Sequence, residues 1–349
     1  MQDRLLTYDE VLEETKENKR FLLLGNGFSM AYNYERFSFT SLQESAVEKG
    51  YIKEDSPVYK IFTQFETKDF EEVVKLLETS IEICKVYGLV EEKDSLLIQN
   101  DADRLKEHLV EVITNNHPEK ITEIPDEEFM NSTNFINNYD RVYTLNYDLL
   151  LYWTTIKLDT FGKNELIKER KLKIQDGFYD PDGESTEYVT YANSSSNNKP
   201  NIFYLHGALH IFDKKHKIIK NTYRRTNKTL REQTLENLNN EIYPIFVSEG
   251  TSKQKKSKIL HNAYLNHCYR SLKSIGAIRK EDSLVIFGTM LKTNDEHIQD
   301  AIIDNNVKKI YIGISSKDSI PEFDAFVERA IKRYKKVYFY DYKTVKVWR

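Results

Sequence analysis

Apolar positions along the chain gather into short continuous runs, set between stretches where they recur at helical spacing. Phe21–Leu24 is the first such run. It stops at Gly25, and so reads as a buried strand ending in a tight turn. Arg141–Tyr147 (RVYTLNY), Asn201–Leu205 (NIFYL), Tyr243–Val247 (YPIFV), Ser283–Phe287 (SLVIF), Lys309–Ile314 (KIYIGI) and Lys336–Tyr340 (KVYFY) share this character. They are rich in β-branched and aromatic residues and predict further strands. Helical spacing predicts helices over 7–17, over 29–34 with Ser29 as candidate cap, a long one following Val247 through about 275, and others over 295–305 and over 321–334. From about 40 to 138 the pattern is helical throughout, as in Asp69–Leu77 (DFEEVVKLL) and Ser95–Thr114, and glycine is almost absent. That stretch predicts a helical insertion. Residues 163–200 are polar and irregular and end in Asn193–Pro200 (NSSSNNKP), which predicts a loop. Strands alternating with helices imply an α/β fold with a mainly parallel sheet covered on both faces.

Composition narrows the classes. The 349 residues suffice for one large domain with insertions or for two. A net charge of −4, from 55 acidic and 51 basic residues, supplies no global attraction for nucleic acid or an anionic membrane. The run Lys253–Lys258 reads as a solvated helix face. Two cysteines, Cys84 and Cys268, build neither a four-cysteine zinc site nor a disulfide framework. A charged N-terminal stretch and the lack of a membrane-length apolar run predict a cytoplasmic protein.

Four segments carry candidate chemistry. Gly25-Asn26-Gly27-Phe28-Ser29 follows a strand and feeds a helix. Such a turn suits a phosphate, because glycine admits close backbone approach and a helix start offers free N–H donors; an ordinary strand-to-helix turn has the same sequence. Thr144-Leu145-Asn146-Tyr147-Asp148 ends a strand, where ligands of parallel sheets sit. Asn146 interrupts an apolar strand, which favours function, whereas Asp148 serves equally as ligand contact or as cap of the next helix. His206-Gly207 ends another strand, and a histidine there can take a proton near neutral pH. Gly288-Thr289 opens a turn after Phe287, with Asn294 and Asp295 before the next helix; capping is the reading preferred for Asp295. Of the eight histidines, His108, His117 and His216 lie in polar surroundings, His210 is secondary to His206, and His261, His267 and His297 fall on predicted helices. No metal site is expected.

In this order and at strand ends, the four segments resemble the sirtuin superfamily, with its Gly-Ala-Gly turn, Thr-x-Asn-x-Asp strand end, His-Gly and late Gly-Thr-Ser turn. The counterparts are Gly25-Asn26-Gly27, Thr144 to Asp148, His206-Gly207 and Gly288-Thr289. The closer likeness is to bacterial sirtuin-like proteins, in phrases such as LLLGNGFS, TLNYDLLLYW, YLHGAL and FGTMLKTNDEHI. The resemblance implies one Rossmann-like domain over 1–349 interrupted by the insertion. It implies NAD as ligand, held by Gly25, Asn26, Gly27, Phe28, Ser29, Thr144, Gly288, Thr289 and Asn294, with Asn146, His206 and Asp148 catalytic. The expected activity is NAD glycohydrolysis in antiphage defence, as a homo-oligomer or beside a separate defence protein. A non-catalytic sensor of NAD or ADP-ribose is the alternative. Protein deacylation is disfavoured, because the four-cysteine zinc module and the Pro-Asp-Phe-Arg element are missing.

Overall fold

Six apolar runs form one parallel sheet: β1 (Arg20–Leu24), β2 (Arg141–Thr144), β3 (Ile202–Tyr204), β4 (Ser283–Phe287), β5 (Lys309–Ile314) and β6 (Lys336–Asp341). The computed structural model describes residues 4–89, 92–180, 188–192, 199–214, 217–222, 228–240, 242–248 and 250–349. Across the sheet the order is β6-β5-β4-β1-β2-β3, and every neighbouring pair is parallel. This is the strand order of dinucleotide-binding α/β folds, in which the chain winds one way from β1 to β3 and then returns to the other side of β1. Leu22, Leu23 and Leu24 in β1 and Leu284, Val285 and Ile286 in β4 are fully buried, as central parallel strands require. Burying each such side chain contributes about 1.5–3 kcal/mol.

The order reverses between β1 and β4, so a crevice opens there beyond the carboxyl ends of the strands. Leu24 pairs with Phe287 on one side and Thr144 on the other, which brings the ends of β1, β2 and β4 level. Between β1 and β2 the described residues are helical, as expected. Phe70–Tyr87 (α2) packs against Glu92–Asn116 (α3), and the insertion closes with Asp126–Asn137. No helix is long and apolar enough to cross a membrane among the described residues.

Three expectations are corrected. Part of the predicted loop 163–200 is strand: Phe178–Tyr179 and Tyr188–Tyr191 join Lys217–Asn221, Gly207–Lys214 and Pro244–Phe246 in a second, antiparallel sheet. The run at 243–247 therefore belongs to that sheet and not to the parallel one. Residues 193–198 and His216 lie outside the described residues. The predicted helix at 29–34 starts two residues earlier, at Gly27 (α1, Gly27–Tyr32), and Ser29 is buried within it instead of capping it. The predicted long helix before 275 is two, Ser252–His261 (α4) and Ala263–Lys273, because the Asn262 side chain accepts from Tyr264 N and Leu265 N and restarts the chain.

Gly207 marks the passage from one sheet to the other. Its φ is +86°, and a Cβ there would lie 1.8 Å from the carbonyl oxygen of Ile245. Only glycine permits both that backbone and that approach. The residue before it, His206, is thereby held at the end of β3, with Val247 N donating to His206 O at 2.9 Å.

Candidate functional site

The crevice is a cleft of about 600 Å³, within the range that holds small-molecule ligands. Gly25, Asn26, Gly27, Asn146, Asp148, His206, Gly288, Thr289 and Asn294 all line it, so four separate segments converge on one cavity. Met30, Phe37, Leu109, Leu145 and Met290 give it apolar walls. Phe28, Ser29 and Thr144 stand behind the wall. Each is fully buried. Phe28 packs on Trp348 at 5.2 Å between ring centroids, and its carbonyl accepts the indole N–H at 2.9 Å. Thr144 Oγ1 accepts Asn146 N at 3.0 Å. These three, expected as ligand contacts, are not among the cleft-lining residues, and they support the residues in front of them.

The glycine turn is closed more tightly than a free phosphate cradle. Gly25 N donates to Phe287 O at 2.9 Å, Gly27 N to Gly288 O at 2.8 Å, Phe28 N to Gly25 O at 3.0 Å and Ser29 N to Asn26 O at 3.0 Å. A Cβ on Gly27 would meet Gly288 Cα at 2.4 Å, and one on Gly25 would meet Thr289 Cβ at 2.5 Å. The glycines here serve the contact between the β1 and β4 turns. Asn26 fastens the turn to the insertion side, its Nδ2 donating to Phe37 O at 2.9 Å.

Asn146 and Asp148 are joined through Ser29. Asn146 Nδ2 donates to Ser29 Oγ at 2.9 Å, and the Ser29 hydroxyl donates to Asp148 Oδ2. Asp148 Oδ1 accepts Leu150 N at 2.8 Å, so both its oxygens are held. Burial pushes its carboxyl up, opposed by Ser29 and the Leu150 N–H. Asp148 thus anchors Asn146 at the wall. His117, just after α3, supports the same turn: its Nε2 accepts Leu149 N at 3.1 Å, and burial pushes its pKa down to about 3.

His206 is 2% exposed and stacks loosely over Tyr147. Burial pushes its pKa well below the ordinary histidine range, so the ring is neutral at pH 7. Its Nε2 lies 3.1 Å from Nε2 of His297 and 3.9 Å from Asp295 Oδ1. The sequence reading gave His297 no role and made Asp295 a helix cap. Asp295 precedes Glu296–Asp304 (α5) but makes no capping bond. It receives Lys255 instead.

Lys255, expected on a solvated face, is wholly buried. Its Nζ reaches Glu71 Oε2 at 2.6 Å and Asp295 Oδ1 at 3.0 Å. Burial alone lowers an ammonium, but the two carboxylates outweigh it and hold Lys255 above its usual range. Burial likewise raises Asp295, yet Lys255 with His206 and His297 holds it below the usual carboxylate range. Glu71, from α2, is raised by burial with the Asp295 and Asp69 charges beside it. Asn294 Nδ2 donates to Glu71 Oε2 at 3.3 Å, and the Tyr147 hydroxyl lies 2.8 Å from Glu71 Oε1. Glu71 therefore ties the insertion to Tyr147 after β2, Lys255 on α4 and Asn294 after β4.

Among the described residues, His206, Asp295 and His297 are a group whose ligand atoms lie within 4.8 Å of one another. The Asp295 oxygen nearest His206 is the one bound by Lys255, whose single ammonium is shared with the Glu71 carboxylate. The family model described as Domain of unknown function (DUF4917) matches residues 22–348. No curated protein matches the chain.

Proposed function

The chain belongs to the DUF4917 family, and for this member we propose hydrolysis of NAD to nicotinamide and ADP-ribose. One observation carries the reading: Asn146 and His206 line the same cleft at the point where the strand order reverses. The sirtuin-like order of the lining segments supports the choice of dinucleotide. NAD would lie across the carboxyl edge of the sheet, its pyrophosphate against the facing turns of β1 and β4. Because most N–H groups of the first turn are already bonded, affinity there comes from shape and from side chains such as Thr289 and Asn294.

In the proposed reaction the bond between the ribose C1′ and the nicotinamide nitrogen breaks, and the bonding pair leaves with nicotinamide. The ribose passes through an oxocarbenium-like state. Asn146, fixed by Ser29 and Asp148, orients a water or the ribose hydroxyls. A water oxygen bonds to C1′, and its proton goes to His206. The imidazole is neutral and free to accept a proton. Burial weakens it as a base, and Asp295 beside it opposes that loss. A positioned proton acceptor is worth on the order of 10²–10⁴-fold in rate when its pKa is matched to the pH. The buried Asp148 and Asp295 carboxylates favour the cationic transition state. The products are nicotinamide, ADP-ribose and one proton, and no step is routed through a metal.

A second reading is a sensor that binds NAD or ADP-ribose without turnover. It is favoured by the engagement of the Asn146 amide and both Asp148 oxygens within the protein. Calorimetry with NAD beside chromatography of the products separates the two: heat of binding with nicotinamide release supports hydrolysis, and heat without release supports the sensor. The proposal extends to a cytoplasmic effector of antiphage defence, as in the proteins it resembles, working as an oligomer or with a second protein. The exposed apolar residues Val86, Tyr87 and Leu89 at the end of α2 support such a contact surface.

A further inference from the structure

His297 is not among the cleft-lining residues and was not legible as a site residue, yet it is the immediate neighbour of the proposed base. Its ring centroid is 5.3 Å from that of His206, with the planes 27° apart. The two Nε2 atoms face each other at 3.1 Å, a hydrogen-bond distance. Burial holds both rings neutral, with His297 pushed down to about 4. Two bare lone pairs at that distance would repel, and two N–H groups would clash. One hydrogen therefore lies between the rings.

Its side is set by the surroundings. Asp295 Oδ1 stands 3.9 Å from His206 Nε2, which favours the hydrogen on His206. His297 Nε2 then accepts, and its Nδ1 must carry the other ring hydrogen. Ser252 Oγ lies 3.1 Å from that Nδ1 and also accepts the His297 backbone N–H at 2.7 Å. Ser252 opens α4, three residues before Lys255, and Tyr269 holds the His297 carbonyl through a hydroxyl bond of 3.2 Å. The ring is thus fixed at its backbone on both sides.

We infer that His297 is the positioning residue of His206: it accepts the His206 Nε2–H, passes its own Nδ1–H to Ser252, and so leaves His206 Nδ1 as the basic nitrogen. The arrangement follows the logic of a catalytic dyad held by a third group, with an imidazole and a serine in place of a carboxylate. When His206 takes a proton, the resulting charge is shared across the bond to His297 and faced by Asp295. The catalytic part of this inference rests on the NAD-hydrolysis reading; the tautomer part does not.

Two measurements keep those parts distinguishable. Ring ¹⁵N–¹H correlation spectra of the histidine-labelled full chain at pH 7 are expected to show His206 as the Nε2–H tautomer and His297 as the Nδ1–H tautomer, assigned by His206→Gln and His297→Gln. The reverse pair, or tautomer mixtures at both rings, overturns the dyad whether or not NAD is cleaved. Stoichiometric zinc in the purified protein, lost in His297→Leu, also overturns it, because a metal would then replace the shared hydrogen. In turnover assays His297→Leu is expected to lower kcat at least roughly tenfold with little change in KM, because a misoriented base retains binding but loses proton transfer. His297→Gln, whose amide oxygen can accept the same hydrogen, is expected to recover part of that loss. Equal activity in His297→Leu and wild type, or a change in KM alone, overturns the positioning role. Absence of nicotinamide release from wild type removes the NAD reading and leaves the spectra to decide the dyad.

Discussion

Replacing Lys255 with methionine removes the cation that pairs with both Glu71 and Asp295 while keeping most of the side-chain volume. The Lys255 side chain is fully buried, and those of Glu71 and Asp295 are 17% and 16% exposed. Water therefore screens the triad weakly. Breaking a buried ion pair by deleting one partner typically costs about 3–5 kcal/mol, because it leaves an uncompensated buried charge. Here two carboxylates are left, one on each side of the vacated position. For a chain of this size that loss lowers Tm by roughly 4–7 °C. One carboxyl relieves the repulsion by holding a proton, so the difference from wild type shrinks as the pH falls from 8 to 5. Urea unfolding followed by circular dichroism at both pH values reads the effect. The double variant Glu71→Gln, Lys255→Met removes one of the stranded charges and is expected to recover part of the stability. A Lys255→Met protein within about 1 kcal/mol of wild type at pH 8 would refute the buried triad, and with it the link between the insertion and the site.

Gly207→Ala places a Cβ 1.8 Å from Ile245 O at a φ of +86°, so a loss of about 3 kcal/mol or more is expected, read as a lowered urea midpoint; an unchanged midpoint would contradict the passage between the two sheets. The folded-state pKa of His117 is pushed down to about 3 and that of His297 to about 4, both below the ordinary 6.5 of the unfolded chain. Between pH 6.5 and 4 the unfolded state therefore binds more protons, and stability present above pH 6.5 is lost as the pH falls, at up to about 1.4 kcal/mol per pH unit per histidine. Urea midpoints at pH 7, 6 and 5 check this, and His297→Gln is expected to flatten the slope. Asp148→Asn weakens the acceptor of the Ser29 hydroxyl and is expected to cost about 1–3 kcal/mol, with a fall in kcat if Asn146 loses its alignment.

The parallel sheet was legible because its strands are buried on both faces and so are written as unbroken apolar runs; β4 and β5 coincide with their predicted bounds. The antiparallel sheet was not. Lys217–Asn221 is largely polar by sequence, yet Lys220 is buried against Asp176, a partner far along the chain. Phe28, Ser29 and Thr144 sit beside lining residues in sequence, but the local backbone turns them into the core. Lys255 looked solvated because its counter-charges are Glu71, 184 positions away, and Asp295, 40 positions away. His297 was hidden for the same reason: only the fold places it 3.1 Å from a histidine 91 residues earlier. Segment order carried the lining of the cleft, whereas the charge network behind it depends on contacts that no local pattern encodes.

The most direct measurement is a single-turnover assay with enzyme in excess over NAD, following nicotinamide and ADP-ribose by chromatography for wild type, Asn146→Ala and His206→Ala. Equimolar release of both products by wild type, with each variant slowed by at least roughly 10²-fold, is the expected result. Intact NAD after prolonged incubation with wild type, or undiminished release by both variants, would contradict the account.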